Sequence, residues 1–348
     1  MAASLDARAH PHSRRVARIV VTLIVAWFSS LPSAHAQGVA SEPALRVILL
    51  GTGGPELSPH RFGSATLVEA GGQTLLFDAG RGVLQRLYES KVNVTGVTKV
   101  FFTHLHNDHI EGLPPLWMTP WFLLGRDKPM EVWGPPGTAR MIRGMESMFA
   151  FDIEHRVNAF NKREGLLVTV TEIEDGEVFN RNGVKVRAFS VWHDDGNPAF
   201  GYRIEYKGRS VVLSGDTGYS VNVVRAGRGA DLLVHNVIAV SDALAAAPEL
   251  APVLAKLTTP EQAARVFKEA SPRAAVFSHV VKKELGGRQG DEVISKRVRA
   301  AGYTGPLEMG YDRMVIEVGK TIRILQPTTT DNLPDVDRKA AYATGSGS

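Results

Sequence analysis

The sequence predicts an α/β protein, a four-layer αββα sandwich built on mixed sheets. Three observations carry the prediction. Apolar strand-type runs and helical stretches follow one another as strands, helices, strands, helices, with no periodic repeat. Neighbouring runs are joined by short Gly-containing turns, the mark of hairpins. The chemically most distinctive residues stand at the ends of apolar runs, and strand ends converge at one edge of a sheet.

Leu45 to Leu50 is the first strand, ended by Gly51-Thr52-Gly53-Gly54-Pro55, which reads as a tight turn. Ser64 to Glu69 and Gln73 to Phe77 form a hairpin across Gly71-Gly72. Asp78-Ala79-Gly80 ends that hairpin, Val83 to Glu89 is a short helix, and Lys99 to Thr103 is an apolar strand. Pro114 to Gly125 is rich in aromatics; Trp117, Trp121 and Phe122 suit either a pocket wall or helix-core packing. Glu131-Val132-Trp133 is a strand stopped by Gly134-Pro135-Pro136-Gly137, with Thr138 as N-cap of a helix from Ala139 to about Phe149. Further strands are Leu167 to Ile173, Val184 to Val191, Phe200 to Tyr206, Ser210 to Ser214 and Asp231 to Asn236, with Lys207-Gly208 turning one hairpin. Thr259-Pro260 opens a helix to about Ala270, with Pro at its first position. Ala274 to Ser278 is a buried strand, and Met314 to Val318 with Thr321 to Leu325 makes a closing hairpin. No linker divides residues 37–326, and the polar stretch 327–348, ending in Gly-Ser-Gly-Ser, is expected to be a disordered tail.

The first 36 residues read as a secretory leader. Arg14, Arg15 and Arg18 form a basic region, Ile19 to Phe28 is apolar but short for a bilayer, and Ala34-His35-Ala36 gives a small-x-small cleavage pattern. A transmembrane anchor is the competing reading, and Ala17 after the Arg pair favours ordinary secretion over twin-arginine export. A periplasmic or secreted protein with no membrane attachment after cleavage follows. The leader carries four Arg and one Asp, so the chain's net +4 falls to +1 without it. No basic stripe remains, and nucleic acid is not an expected partner. With no Cys in the chain, disulfides and thiolate metal sites are excluded.

The densest chemistry lies at His104-Leu105-His106-Asn107-Asp108-His109, three imidazoles and a carboxylate within six positions of a chain with 11 His. His and Asp are ligands zinc takes when a site stays open for reaction. His193, Asp216 and His279 each follow another apolar strand. His104, His106 and His193 would give one ion three imidazoles; Asp108, His109 and His279 would hold a second; Asp216 can reach both. Two Zn(2+) per chain would then share a water whose pKa falls toward 7, with Asp108 orienting it. His60 and His155 lack such a context.

His104-Leu-His-Asn-Asp-His109, followed in order by His193, Asp216 and His279, resembles the signature of the metallo-β-lactamase superfamily. Leu49 to Pro55 and Leu76 to Gly82 look like its ribonuclease Z and bacterial arylsulfatase branch. The resemblance spans roughly residues 45–325 and implies the αββα fold and a dinuclear zinc hydrolase domain at 37–326. It also makes His235 a candidate proton donor to a leaving group, with a structural His hydrogen-bonded within the edge as the equal alternative; Asp78, at the end of a strand near the site, reads as support for a His ligand or as a plain turn-forming Asp. Ribonuclease Z carries a His-Glu motif where this chain has His235-Asn236, and a His-Ser-Thr segment where it has Leu257-Thr258-Thr259. Its tRNA-clamping arm has no room between His193 and Asp216. The expectation is an exported hydrolase of a small sulfate ester or phosphodiester, with a homodimer as the candidate assembly. β-Lactam hydrolysis and a non-catalytic zinc scaffold are the competing readings.

Overall fold

In the computed structural model, residues 43–248 and 251–327 are described; the expected leader and nearly all of the expected tail lie outside them. The apolar runs form strands as their β-branched content requires. In chain order the elements are β1 (Leu45–Gly51), β2 (Ala65–Ala70), β3 (Gln73–Phe77), α1 (Val83–Glu89), β4 (Lys99–Phe101), α2 (Asn107–Ile110), α3 (Leu113–Leu124), β5 (Met130–Gly134), α4 (Thr138–Met148), α5 (Ala150–Arg156) and β6 (Val168–Glu172). There follow β7 (Gly176–Arg181), β8 (Val184–Val191), β9 (Ala199–Tyr206), β10 (Arg209–Leu213), α6 (Val221–Gly227), β11 (Leu232–Val240), α7 (Asp242–Ala245), α8 (Ala251–Ala255), α9 (Pro260–Ala270), β12 (Ala274–Lys283), α10 (Gly287–Ala300), β13 (Leu307–Met309), β14 (Met314–Val318) and β15 (Ile322–Leu325).

Two mixed sheets result. One runs β15-β14-β1-β2-β3-β4-β5-β6, antiparallel up to β3 and parallel beyond it. The other runs β13-β12-β11-β10-β9-β8-β7, parallel up to β10 and antiparallel beyond. Leu49, Phe77, Phe101 and Trp133 of the first sheet meet Val186, Tyr202, Val211 and Val276 of the second in a shared core. A second core lies between the first sheet and α1, α3 and α4, and a third between the second sheet and α6, α9 and α10. This is the four-layer sandwich the sequence predicts. Among the described residues no helix is long and apolar enough to cross a membrane.

The differences from the sequence reading have local causes. Thr138 is the first residue of α4, not its cap: Gly137 occupies that position at φ 106°, and Glu172 of β6 accepts from the Gly137 and Ala139 N–H groups at 2.8 and 3.0 Å. The aromatic stretch is helix α3, which tolerates Pro114 and Pro115 in its first turn. Pro120 lies inside it and supplies no N–H to Leu116; buried Arg126 donates to the Leu116 and Trp117 carbonyls at 3.4 and 2.8 Å. Trp117 and Trp121 are core, not a pocket wall. Both are at most 1 % exposed, and their indole N–H groups donate to the Leu166 and Lys162 carbonyls. Phe122 packs partly buried beside them under the Arg156 guanidinium.

Candidate metal centre

The residues singled out in the sequence meet where the two sheets open at one end. β4 runs into an extended loop whose last residue, His106, is the N-cap of α2, so Asp108 and His109 lie in one helical turn beside it. His193 follows β8 at the start of a 3₁₀ turn, Asp194–Gly196. Asp216 follows β10 after Gly215, at φ 61°. His279 sits at a β-bulge: Ser278 and His279 of β12 oppose Asn236 alone on β11. At φ 46° its side chain is re-aimed toward the loop from β4.

Three groupings place their ligand atoms within 4.8 Å of one another: His104 with His106 and His193; His104 with His109 and Asp216; Asp108 with His109 and His279. His106 Nδ1 is 3.3 Å from His193 Nε2. Asp216 Oδ2 is 3.7 Å from His193 Nε2, 3.5 Å from His109 Nε2 and 3.0 Å from His279 Nε2, so one oxygen faces both sets. Asp108 Oδ2 is 3.6 Å from His109 Nε2 and 3.2 Å from His279 Nε2. A tetrahedral zinc with bonds near 2.0–2.1 Å sets its ligand atoms about 3.3 Å apart, so these separations fit the ion.

The imidazoles are aimed by hydrogen bonds on their far nitrogens. His109 Nδ1–H donates to Asp78 at 2.8 Å. The Thr103 hydroxyl donates to the same carboxylate, its backbone N–H donates at 2.8 Å, and its oxygen accepts from His104 Nδ1–H at 3.0 Å. His193 Nδ1–H donates to the Lys256 carbonyl at 2.9 Å. Each bond fixes the tautomer with its lone pair on Nε2. The Nε2 atoms of His104 and His109 are buried without a hydrogen-bond partner, an arrangement a cation would complete. Asp78 thus has the supporting place expected of it, at φ 59°.

The electrostatics agree. Burial alone would raise Asp216, but His279 and His109 hold its carboxyl well below the usual range. Burial opposes the charged form of His279 too, yet Asp216 and Asp108 lift it to about 9. His104 goes the other way: burial, then His109, drives it well down.

His235 is corrected. It is 1 % exposed, its Nδ1 meets the Asn236 carbonyl at 2.8 Å, and its ring lies edge-on to Phe267. Burial lowers its pKa to about 4, and it lines a cavity of about 30 Å³ behind Asp216 and His279 rather than the open cleft, which is the place of a structural ring rather than of a proton donor to a substrate in the cleft. Asn236 and Thr258 come together behind Asp216. The Asn236 amide and the Thr258 hydroxyl both donate to the Thr217 carbonyl, at 2.9 and 2.8 Å. Nothing in their spacing in sequence signals that meeting, nor the role of the Lys256 carbonyl. Thr103 could have been found by its place directly before His104. His60 and His155 are both exposed, and neither belongs to the ligand groupings.

A cleft of about 180 Å³ opens on the cluster, lined by His106, Asp108, His193, Asp216 and His279 at its base. Ile238, Val253, Leu257 and Val281 form its apolar wall, and Glu56, Asp195, Lys256 and Lys283 its charged rim.

The family model of the beta-lactamase superfamily domain matches residues 73–280. The chain is 35% identical over 279 residues to ribonuclease Z of Mycolicibacterium paratuberculosis, covering 79% of this chain and 98% of that one. Human tRNase Z, short form, is similar at TM-score 0.56 and 26% identity, over 78% of this chain and 99% of its own. The metallo-beta-lactamase fold protein YhfI from Bacillus subtilis shares the fold at TM-score 0.61 and 17% identity, over 79% and 99% of the two chains. A cluster of imidazoles and carboxylates spaced for cations, carried on this fold and accompanied by these relatives, leads to one conclusion: the chain belongs to the metallo-β-lactamase superfamily, in its ribonuclease Z-like branch, and is a metal-dependent hydrolase.

Proposed function

We propose that the protein is a dinuclear zinc phosphodiesterase acting on a small ester outside the cytoplasm. The position of Asp216 Oδ2, within 3.7 Å of ligand nitrogens from both sets, carries the reading. His104, His106 and His193 would hold one ion, Asp108, His109 and His279 the other, and Asp216 both. When bound, such a pair supplies Lewis acidity and an activated water. The chain's own part is to hold that geometry and to seat the ester. Asp78, Thr103 and the Lys256 carbonyl keep the imidazole lone pairs inward, and the Ile238 and Val281 side chains shed water from one side of the cleft.

The relatives called ribonuclease Z support phosphodiester chemistry. Three features support a small substrate over a transfer RNA. The cleft is below the roughly 300–1,000 Å³ of drug-sized pockets. Its rim sets Glu56 and Asp195 against Lys256 and Lys283, so it offers no excess positive charge to a polyanion. Residues 194–215 are spent on a 3₁₀ turn and the β9–β10 hairpin, which pairs along β8 and extends no arm. The basic and apolar leader at residues 14–28 supports export.

The test is a substrate panel on zinc-loaded protein with and without chelator: bis(4-nitrophenyl) phosphate, 4-nitrophenyl sulfate, nitrocefin and a precursor tRNA. Turnover of the phosphodiester, lost with chelator, is expected. Exclusive turnover of sulfate, lactam or tRNA overturns the reading. In Asp108→Ala, zinc content falls from two ions to one and the rate by more than about 100-fold, since losing even a supporting partner of a ligand costs 10–100-fold. Near-normal activity in that variant refutes the ligand assignment.

A further inference from the structure

We propose that the substrate carries a second anionic group, a carboxylate or phosphate remote from the scissile ester, and that Lys283 binds it across an apolar strip. This rests on the phosphodiesterase reading and specifies its substrate class. Beyond the bulge at His279, side chains alternate along β12, so Val281 and Lys283 lie on one face. Both line the cleft. Ile238 of β11 stands in register with Val281, and Leu257 and Val253 complete the strip. Four residue steps along the strand separate His279 at the base of the cleft from Lys283, about 13 Å, room for one ring or a short chain beyond the ester.

The two rim lysines are not equivalent. Lys256 is held at 2.7 Å by Asp195 and 3.6 Å by Asp194, and its own carbonyl is bonded to His193. Lys283 meets Glu56 at 3.1 Å, with the two side chains 33 % and 38 % exposed. Lys283 thus has one carboxylate partner where Lys256 has two, and a single ion pair that open to water is worth little. Nor does the loop need it: Arg81 donates to the Glu56 carbonyl at 3.2 Å and the Ser58 hydroxyl accepts from the Arg61 N–H at 3.1 Å. An anion pressed against the strip can therefore take Lys283 from Glu56, and elsewhere along Ile238 and Val281 it would have no counter-charge.

Aryl methyl phosphodiesters bearing a ring carboxylate or the isosteric carboxamide test this through the ratio of their kcat/KM values. Lys283→Met is expected to lower the carboxylate-to-carboxamide ratio about 10- to 100-fold, the worth of a charge-assisted hydrogen bond. Glu56→Gln is expected to raise it, and serves alone if Lys283→Met does not fold. A ratio unmoved by either substitution overturns the proposal while leaving the phosphodiesterase intact. Failure of wild-type protein to turn over either ester overturns the phosphodiesterase reading itself.

Discussion

At the scale of single residues, the site is a problem of aiming nitrogen lone pairs. Asp78 accepts from both the Thr103 hydroxyl and His109 Nδ1–H, and Thr103 in turn receives His104. Asp78→Asn keeps the size and tolerates the left-handed φ of 59°, but it removes the charge. Zinc affinity, read by chelator competition, is expected to fall about 10- to 100-fold with far-UV circular dichroism unchanged. His235 makes a different prediction. Its pKa is lowered to about 4 by burial, below the ordinary 6.5, so the unfolded chain binds the extra proton first. Stability from this group is present above pH 6.5 and is lost as pH falls toward 4. The loss is about 3 kcal/mol at most, at 1.36 kcal/mol per pKa unit. His235→Phe should flatten the urea-denaturation stability between pH 6.5 and 4 relative to wild type; an identical slope would show that the ring titrates freely. All seven ligand candidates were legible because four of them crowd into six positions and three more each follow an apolar strand, a combination that none of them would signal singly. The Asn236–Thr217–Thr258 junction was not, because it exists only once β11 and the chain before α9 are side by side.

At the scale of elements, short turns set the separations. The 3₁₀ turn Asp194–Gly196 brings Gly196 against three rings. A Cβ there would lie 2.3 Å from His193 Cδ2, 3.0 Å from His104 Cδ2 and 3.1 Å from His106 Cε1. Gly196→Ala must spread that trio, so under the proposed two-zinc assignment bound zinc measured per chain is expected to drop from two toward one, with loss of the His104–His106–His193 ion first. Retention of both ions at wild-type affinity would mean that the turn yields instead. Strands and hairpins with strong apolar patterns, such as β1, β3 and β8, were readable to within a residue or two. The elements that escaped had weak patterns for physical reasons. α10 buries Gly290, Asp291, Ile294 and Val298, a face built partly on a carboxylate that pairs with Arg61 and Lys282, so the segment is polar overall and only Ile294 and Val298 mark its buried side. β7 is an edge strand with Phe179 its one buried residue. β11 and β12 run past their expected ends because the bulge at Ser278–His279 re-registers them and lets pairing continue to Lys283.

At the scale of the molecule, the ligands come from both sheets, so a bound cation ties the sandwich shut. His104 to His109 leave the first sheet; His193, Asp216 and His279 belong to the second. Backbone bonds already cross there: Phe200 N–H to the Thr103 carbonyl at 2.9 Å and Val280 N–H to the Thr52 carbonyl at 2.8 Å. Without metal, protonated His279 stands in for the missing positive charge between Asp108 and Asp216, which is why its pKa rises to about 9 despite burial. Because the folded value lies above the unfolded 6.5, that support is complete below pH 6.5 and is lost as pH climbs toward 9. A cation supplies the charge at every pH and competes with fewer protons as pH rises. The zinc-induced increase in Tm should therefore grow between pH 6.5 and 9. A ligand at 1,000 times its Kd adds about 4 kcal/mol, and for a chain of this size that is roughly 6 °C. Differential scanning calorimetry of chelated and zinc-loaded protein across this range measures it. A Tm difference that shrinks with pH would mean that the protonated His279 is no substitute for the ion, and that the bonds already crossing this edge, including Tyr202 hydroxyl to the Phe102 carbonyl at 2.6 Å, hold the two sheets without it.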